Sequence, residues 1–500
     1  MFDVYLFITD KGGNPELIRE SERSRNGKPQ LVDEIIGQYQ DWTSARFEFD
    51  ALNRSINAIQ KEIGLKLKVK EDATELLAQK NDLESKKKDL AENEQEKDKT
   101  LRANINKIGN VVHDSVPISK TEDDSKVVRT YFVNGDEPKH QPTMHSHSDV
   151  LYLLGGYDSD RGAKVAGHRG YFLAGAGVDL NLALINYSLQ FLGKRGYTKI
   201  QPPYFMCRDM MTKTAQLSQY DEELYKISGD GDDDDKYLIA TSEQPISAFH
   251  SGEWFEKPSE QLPLKYAGYS TCFRKEAGAH GKVSSGIFRV HQFEKIEQFV
   301  LTKPKKPWEM FDEMIGASED FSKSLGISYR VVSIVSGALN DAAAKKYDLE
   351  AWFPFQGQYL ELVSCSNCTD YQSRNLEIRC GTKKVGDREK KYVHWLNSTL
   401  CATERALCCL VETYQTPEGL RIAEALSPFM GGMEFISYVK DTVPERVELY
   451  LDISSCHMLD FSILFVTNEQ LYIMTAVTTK IAECWFMEIV WINSCADGGI

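Results

Sequence analysis

Apolar residues recur seven apart early in the chain, at Ile35, Trp42, Phe49, Ile56 and Ile63. Ala45, Leu52 and Ile59 form a second row, three residues behind members of the first. With charged residues between, this is an a/d seam, and it predicts a long helix over about 35–63. A second helix is predicted from about Ala73 to Val112, where Leu76, Leu83 and Leu90 stand seven apart and Leu101, Ile105 and Ile108 follow. The intervening GLKLKVKED marks a tip, with Gly64 weakening the first helix. Two long helices joined by a short link pack antiparallel. At 1.5 Å per residue each arm of this hairpin is on the order of 50 Å long. Such a coiled coil serves as a dimerisation or spacer element, or as a probe that reaches a large ligand. The pattern by itself favours the spacer. The run Lys86, Lys87, Lys88 reads as a solvated face or as a contact for phosphates.

From about Val127 the pattern changes. Short β-rich runs alternate with amphipathic helices, punctuated by Gly and Pro. This predicts an antiparallel sheet flanked by helices, an α+β domain. No GxGxxG follows a strand and no GxxxxGK[ST] occurs, which argues against Rossmann and P-loop nucleotide sites.

Composition narrows the picture. The chain has 500 residues, 42% of them hydrophobic, enough for two or three domains with real cores. Its formal net charge of −15 argues against coating nucleic acid by bulk charge but allows a local basic patch. The 11 cysteines are scattered, and the N-terminal MFDVYLFITDKGG lacks the features of a signal peptide. A reducing cytosol with free thiols is the expected setting.

Residues 271–300, TCFRKEAGAHGKVSSGIFRVHQFEKIEQFV, read as strand, Gly-bearing loop, strand. Alternation puts Arg289, His291, Phe293, Lys295 and Glu297 on one face. A charged and aromatic row of this kind is unlike a simple core strand. Phe293 and Glu297 lie about 13 Å apart, roughly the span from adenine to ammonium in an aminoacyl-adenylate. On the preceding strand Arg274 and Glu276 share a face. A surface hairpin with salt-bridged charges is the competing reading.

The FRKE opening, the Gly-bearing loop and FRVHQFEKIEQF resemble motif 2 of the class II aminoacyl-tRNA synthetases, in the form found in the seryl-tRNA synthetase family. RGYTKIQPPYFM (195–206), with Pro203, resembles motif 1, and NSTLCATERALCCLV (397–411), with Arg405, resembles motif 3. KYLIATSEQPISAFH resembles the serine-binding segment, and ELVSCSNCTDYQSR the second ATP segment. The hairpin is similar to the family's tRNA-binding arm. The resemblance runs to about Lys440, and it is the order of the motifs together that makes it specific.

The resemblance implies serine activation with ATP and Mg²⁺, followed by transfer to tRNA(Ser), and to tRNA(Sec) where present. It implies that Arg274 holds the α-phosphate and Arg405 the γ-phosphate, these two being the catalytic residues. The rest of the ATP site would be Lys275, Glu276, Val290, His291, Gln292, Phe293, Glu361, Leu362, Val363 and Ser364. Phe293 would stack on adenine, Glu276 would receive its amino group, and Glu361 and Ser364 would hold Mg²⁺, which prefers oxygen ligands. Serine would meet Thr241, Ser242, Glu243, Arg274, Glu297, Asn397 and Thr399, with Glu243 on the ammonium and Glu297 on the hydroxyl. Plainer readings compete: a surface arginine for Arg405, ordinary core for Phe293, strand propensity for Thr241 and Thr399. The family further implies a homodimer built on motif 1, a cytoplasmic location and no membrane association. The contrasting expectations are a non-catalytic synthetase-like scaffold that binds RNA or protein, and an enzyme that acylates a carrier protein. Loss of Arg274, Glu276 or Arg405 would signal the first and loss of the arm the second, and all are present.

Three further signals are set aside. Cys365 and Cys368, with Cys380 and His394 nearby, have zinc-like spacing but read better as packed thiols. His140, His145 and His147 are placed in a polar linker. GDGDDDD (229–235) lacks the closing glutamate of a Ca²⁺ loop. The expected organisation is an arm over 1–126, a catalytic domain over 127–440 and a segment of unknown role over 441–500. In that last segment Glu469, Lys480, Glu483 and Glu488 interrupt the apolar run too often for a membrane span. Extra strands and a helix, a partner-binding segment or a product of altered splicing all remain open there.

Overall fold

One sheet of eight strands carries the site in the computed structural model of the chain. The structure describes residues 2–214, 223–229, 235–276, 286–304, 306–381 and 390–443, and four strands between 448 and 489. It divides into two units, Met1–Val439 and Lys440–Ile500.

The first unit begins with helix α1 (Pro15–Ser24), capped by Asn14, and then the long helices α2 (Gln30–Lys68) and α3 (Thr74–Ile105). Gln38 meets Asn104, Trp42 meets Glu94, and Phe49 meets Lys87, so α2 and α3 run antiparallel. Their 39 and 32 residues correspond to about 58 and 48 Å. Ile35, Ala45, Ile56 and Ile63 are buried along the seam.

Two boundaries differ from expectation. α2 runs through Gly64 to Lys68, because one glycine costs only about 1 kcal/mol and buried Ile63 holds the turn in place. The reversal comes at 69–73, where Lys70 takes φ 58° and Asp72 receives the Thr74 N–H and hydroxyl at 3.0 and 2.6 Å. α3 stops at Ile105, short of Val112. Beyond it the chain leaves the hairpin to bond with the sheet domain. Asn110 Nδ2 donates to Ala342 O (2.8 Å), Cys368 O (2.9 Å) and Thr369 Oγ1 (2.9 Å), and Tyr371 Oη donates to Ile108 O at 2.7 Å. From α1's C-cap, half-buried Arg25 donates to Asn110 O at 2.9 Å and Asn340 O at 3.1 Å.

The sheet strands are β1 (Lys126–Tyr131), β2 (Thr198–Ile200), β3 (Leu264–Phe273), β4 (Gln292–Thr302), β5 (Tyr329–Ser333), β6 (Lys345–Phe353), β7 (Gln358–Asn367) and β8 (His394–Ala402). Their spatial order is β1-β5-β6-β7-β8-β4-β3-β2. Every neighbouring pair is antiparallel except β2–β3, which is parallel. Helices α4 (Ala176–Gly193), α5 (Pro307–Ser324) and α6 (Thr403–Tyr414) place Leu184, Met314, Ile315 and Leu407 in a shared core with Ile296 and Val300. Phe299 and Leu301, of opposite parity on β4, join Trp395 in a second core. The α+β class and the flanked antiparallel sheet are as the sequence predicts.

His147 is not in a linker. It starts the short helix His147–Leu153, is buried, and pairs with Glu412 at 3.0 Å. Burial opposes its charge, but Cys408 and Glu412 beside it push its pKa up to about 10.

The second unit is an antiparallel meander of β9 (Glu448–Leu451), β10 (Asp460–Thr467), β11 (Gln470–Ile481) and β12 (Cys484–Ile489). The helix allowed for above does not occur among its described residues. No helix among the described residues is long and apolar enough to cross a membrane.

Candidate active site

A cavity of about 740 Å³ opens over β4, β6, β7 and β8. Arg274 follows β3 directly. Its N–H donates to His291 O at 2.9 Å, its Nε to Ala240 O at 3.2 Å, and its guanidinium lies 5.3 Å over the Phe293 ring. Glu276, at φ 50°, pairs with Arg289 at 3.1 Å. An aromatic face beside a carboxylate can take a base and its exocyclic amine.

One end of the cavity holds two carboxylates ringed by hydroxyl, amide and ammonium donors. Glu297 is 3% exposed. Thr241 Oγ1 donates to Glu297 Oε2 at 2.8 Å, the Ser242 hydroxyl donates to the same oxygen, and Lys295 Nζ is 2.6 Å from Oε1. Beside it, Glu243 Oε1 accepts from Gln372 Nε2 (2.8 Å) and Asn397 Nδ2 (2.9 Å). Depth in the protein pushes the Glu243 carboxyl up and the Glu297 charge adds to this, against Gln372, Lys295 and Arg274. Thr399 lines the same end, opposite Glu297 in the β4–β8 register.

The other end gathers positive charge. Arg405, from the first turn of α6, lies 5.0 Å over Phe288 and donates to Glu361 O and Oε2 at 3.3 and 3.4 Å. The depth of Glu361 would raise its carboxyl, but Arg405, Lys346 and Arg274 hold it below the usual range. Glu361 and Ser364 are three apart and would face opposite sides of a regular strand. A register shift against Leu349/Glu350 skips Leu362 and turns both to the cavity. An ionised carboxylate and a hydroxyl brought together this way are the hard oxygen donors Mg²⁺ takes, so these residues fit that ion. Behind them Asp348 is bonded to Ser364 and lies 3.0 Å from Lys346, and burial pushes it up to about 7.

Residues 1–112 match the model for the seryl-tRNA synthetase N-terminal domain, and residues 225–414 that for the class II tRNA synthetase core domain (G, H, P, S and T). The chain is 63% identical over 441 residues to the cytoplasmic serine–tRNA ligase of Schizosaccharomyces pombe, covering 88% of this chain and 97% of that one. The chain belongs to the seryl-tRNA synthetase family. To the cytoplasmic serine–tRNA ligase of Rattus norvegicus it is 48% identical over 479 residues, covering 88% and 92%. Among solved structures it is similar to the cytoplasmic serine–tRNA ligase from Naegleria fowleri in complex with AMP, with 50% identity, TM-score 0.76 and coverage of 88% and 99%. It is also similar to the seryl-tRNA synthetase from Pyrococcus horikoshii complexed with ATP, with 36% identity, TM-score 0.75 and coverage of 88% and 100%.

Of the residues that family resemblance nominated, Arg274, Glu276, Val290, Phe293, Glu361, Leu362, Ser364 and Arg405 line the cavity, as do Thr241, Glu243, Glu297, Asn397 and Thr399. The others do not line it. Ser242 is buried under Glu297, and Val363 points into the core. Lys275 N donates to Glu223 O at 3.0 Å, and Gln292 O accepts from Tyr171 Oη at 3.1 Å. His291 precedes β4 and leaves the row predicted for it, its Nδ1 donating to Arg274 O at 3.0 Å. Lys86 and Lys88 are exposed, whereas Lys87 lies 6.0 Å over the Phe49 ring.

The family motifs gave no role to Lys295, Arg289, Lys346, Gln372 or Glu404, all of which line the cavity. Glu404 and Gln372 had a signal in hand, their places beside Arg405 and within ELVSCSNCTDYQSR, while Lys346 had none. The cysteines proposed and set aside for zinc are buried, with Cys368 Sγ 3.5 Å from Asn397 Nδ2. Among the described residues no group of three or more His, Cys, Asp or Glu is arranged for a metal. Most of GDGDDDD lies outside the described residues, and its last member, Asp235, pairs with Lys226 at 2.6 Å.

Proposed function

We propose that the protein activates L-serine with ATP to seryl-adenylate and transfers the seryl group to the 3′ end of tRNA(Ser), and of tRNA(Sec) where that occurs. The observation that carries this reading is the pairing of two ends in one cavity. Glu297 and Glu243, ringed by hydroxyl and amide donors, stand at one end, and Arg274, Arg289 and Arg405 gather toward the other.

Both the serine carboxylate and the α-phosphate are anionic, so attack needs fixed positive charge where negative charge gathers. Arg274, beside the adenine platform Phe293, suits the α-phosphate with its planar fork. Arg405 suits the γ-phosphate, which bends ATP so that pyrophosphate leaves in line. Glu361 and Ser364 would hold Mg²⁺, which neutralises phosphate charge when bound. Glu243 takes the serine ammonium and Glu297 the hydroxyl. Alanine leaves Glu297 short of a donor, and the wall at Thr399 limits the larger threonine. In the second step the adenylate phosphate takes the proton of the attacking tRNA hydroxyl, so no protein base is assigned.

In this reading residues 1–126 form the tRNA-binding arm, 127–440 the catalytic domain, and 441–500 have no assigned part. A cytoplasmic homodimer completes it. Exposed Phe172, Val178, Leu182 and Phe205 near α4 and the motif 1 segment supply apolar surface for that contact. Sedimentation of the purified protein tests the dimer. The deciding experiment is ATP–pyrophosphate exchange with each standard amino acid, in which serine alone drives strong exchange. Stronger exchange with threonine, alanine or glycine would remove the serine assignment and keep the class. No exchange with any of them would leave a non-catalytic scaffold.

A further inference from the structure

Lys295 is a charged group in the cavity that the steps above do not use. It sits in β4 between Phe293 and Glu297, on the same face as both, with its side chain 9% exposed. Burying an ammonium is costly unless partners take its protons. Here Nζ lies 2.6 Å from Glu297 Oε1 and donates to Thr241 Oγ1 at 2.9 Å. Thr241 Oγ1 in turn donates to Glu297 Oε2 at 2.8 Å. Ammonium, hydroxyl and carboxylate close a ring around the group assigned to the serine hydroxyl.

We propose that Lys295 is a positioning residue for serine selection, which acts by holding the Glu297 carboxylate oriented toward the substrate hydroxyl. The inference rests on the serine reading of the cavity. An ionised carboxylate has about four acceptor positions. Lys295, Thr241 and Ser242 occupy three, which leaves one for a donor in the cavity that Glu297 lines. That is one position for one hydroxyl.

Charge points the same way. The titratable groups around Glu297 are Lys295 on its own strand, Glu243 beside Ser242, and Cys272 and Arg274 at the end of β3. Two carboxylates therefore share this end with two cations. Without Lys295 they would share it with Arg274 alone, and two like charges at close range with one cation fewer repel each other. A Glu297 carboxylate pushed from its seat no longer presents its open acceptor position to the substrate, and it selects the hydroxyl less well.

The test uses Lys295→Met in the full chain, with serine-dependent ATP–pyrophosphate exchange measured. The expected result is a KM for serine raised by on the order of fiftyfold, with kcat and the KM for ATP changed far less. Preference for serine over alanine should fall by on the order of tenfold or more. A merely structural role would lower the amount of folded enzyme and leave the serine-to-alanine ratio in place, and that result would overturn the proposal. So would a KM for serine near wild type. If Lys295→Met does not fold, Lys295→Arg decides: the larger planar guanidinium cannot hold the carboxylate in the same seat, so the KM for serine should still rise and the serine-to-alanine ratio fall, and wild-type values of both overturn the proposal. If the wild-type chain does not activate serine, the serine reading itself fails. Wild-type selectivity with an unperturbed variant overturns the Lys295 inference alone.

Discussion

The Glu404 carboxylate accepts the backbone N–H of Glu294 on both of its oxygens, at 3.1 and 3.0 Å. Glu404 lies in the first turn of α6, one residue before Arg405, and Glu294 lies in β4 between Phe293 and Lys295. Tyr171 Oη also donates to Glu404 at 3.0 Å, while Tyr269 and Asn181 each donate to Glu294 at 2.6 Å. One buried clamp thus ties the strand that carries Phe293 and Glu297 to the helix that carries Arg405.

Burial pushes Glu404 up to about 7, with nearby Glu294 adding and the Glu294 N–H and Tyr171 opposing. Unfolded, this carboxyl loses its proton near its ordinary value of 4.5. The folded chain therefore binds more protons between these values, and stability falls as pH rises through that window, by about 3 kcal/mol from this group. Glu404→Gln, always neutral, should flatten the loss. Urea midpoints at pH 5 and pH 8 check it, and equal slopes for both proteins would refute the assignment.

Arg274→Ala and Arg405→Ala should each remove serine-dependent exchange while leaving the fold intact. Their guanidinium groups rest on Phe293 and Phe288 rather than in the core. Loss of one charged donor to a developing anion costs about 3 kcal/mol, or roughly a hundredfold in rate. Near-normal exchange by either variant, with an unchanged circular dichroism spectrum, would take that arginine out of the site.

The arm has to be cut above its base. Removing all of 32–112 would strip Ile108 and Asn110 from Tyr371, Cys368 and Thr369. Gln372, the next residue, holds Glu243. That large deletion should therefore damage serine activation. Replacing 47–93 with a short Gly/Ser link keeps Ile35, Leu101 and Ile105 in their buried cluster with Tyr371. The short-armed protein should exchange normally and charge tRNA on the order of a hundredfold more slowly, and wild-type charging should weaken as salt rises. Normal charging by the short-armed protein would make the hairpin a spacer.

A chain ending at Lys440 should fold and activate serine. Every residue assigned above precedes that point, and the Val439 N–H that bonds Leu153 O at 2.9 Å is kept. Exchange rate and melting temperature check this. An insoluble or inactive product would show that 441–500 supports the catalytic domain.

Local pattern was enough to establish the hairpin, the α+β class and the motif residues. Seven-residue spacing writes Ile35, Ile56 and Ile63 into one helical face, and strand alternation writes Phe293, Lys295 and Glu297 into another. These follow from backbone periods that any window of the chain expresses. Helix ends were less legible, because Ile108 and Asn110 leave α3 for partners more than 230 positions away. The site's finer geometry had the same origin. The shift that skips Leu362 turns Glu361 and Ser364 to one side, and only the register against β6 produces it. Gln372 reaches Glu243 across 129 positions, and Glu404 reaches Glu294 across 110. Such contacts depend on which strands become neighbours, so the sequence named the groups and only the tertiary structure decided which of them meet.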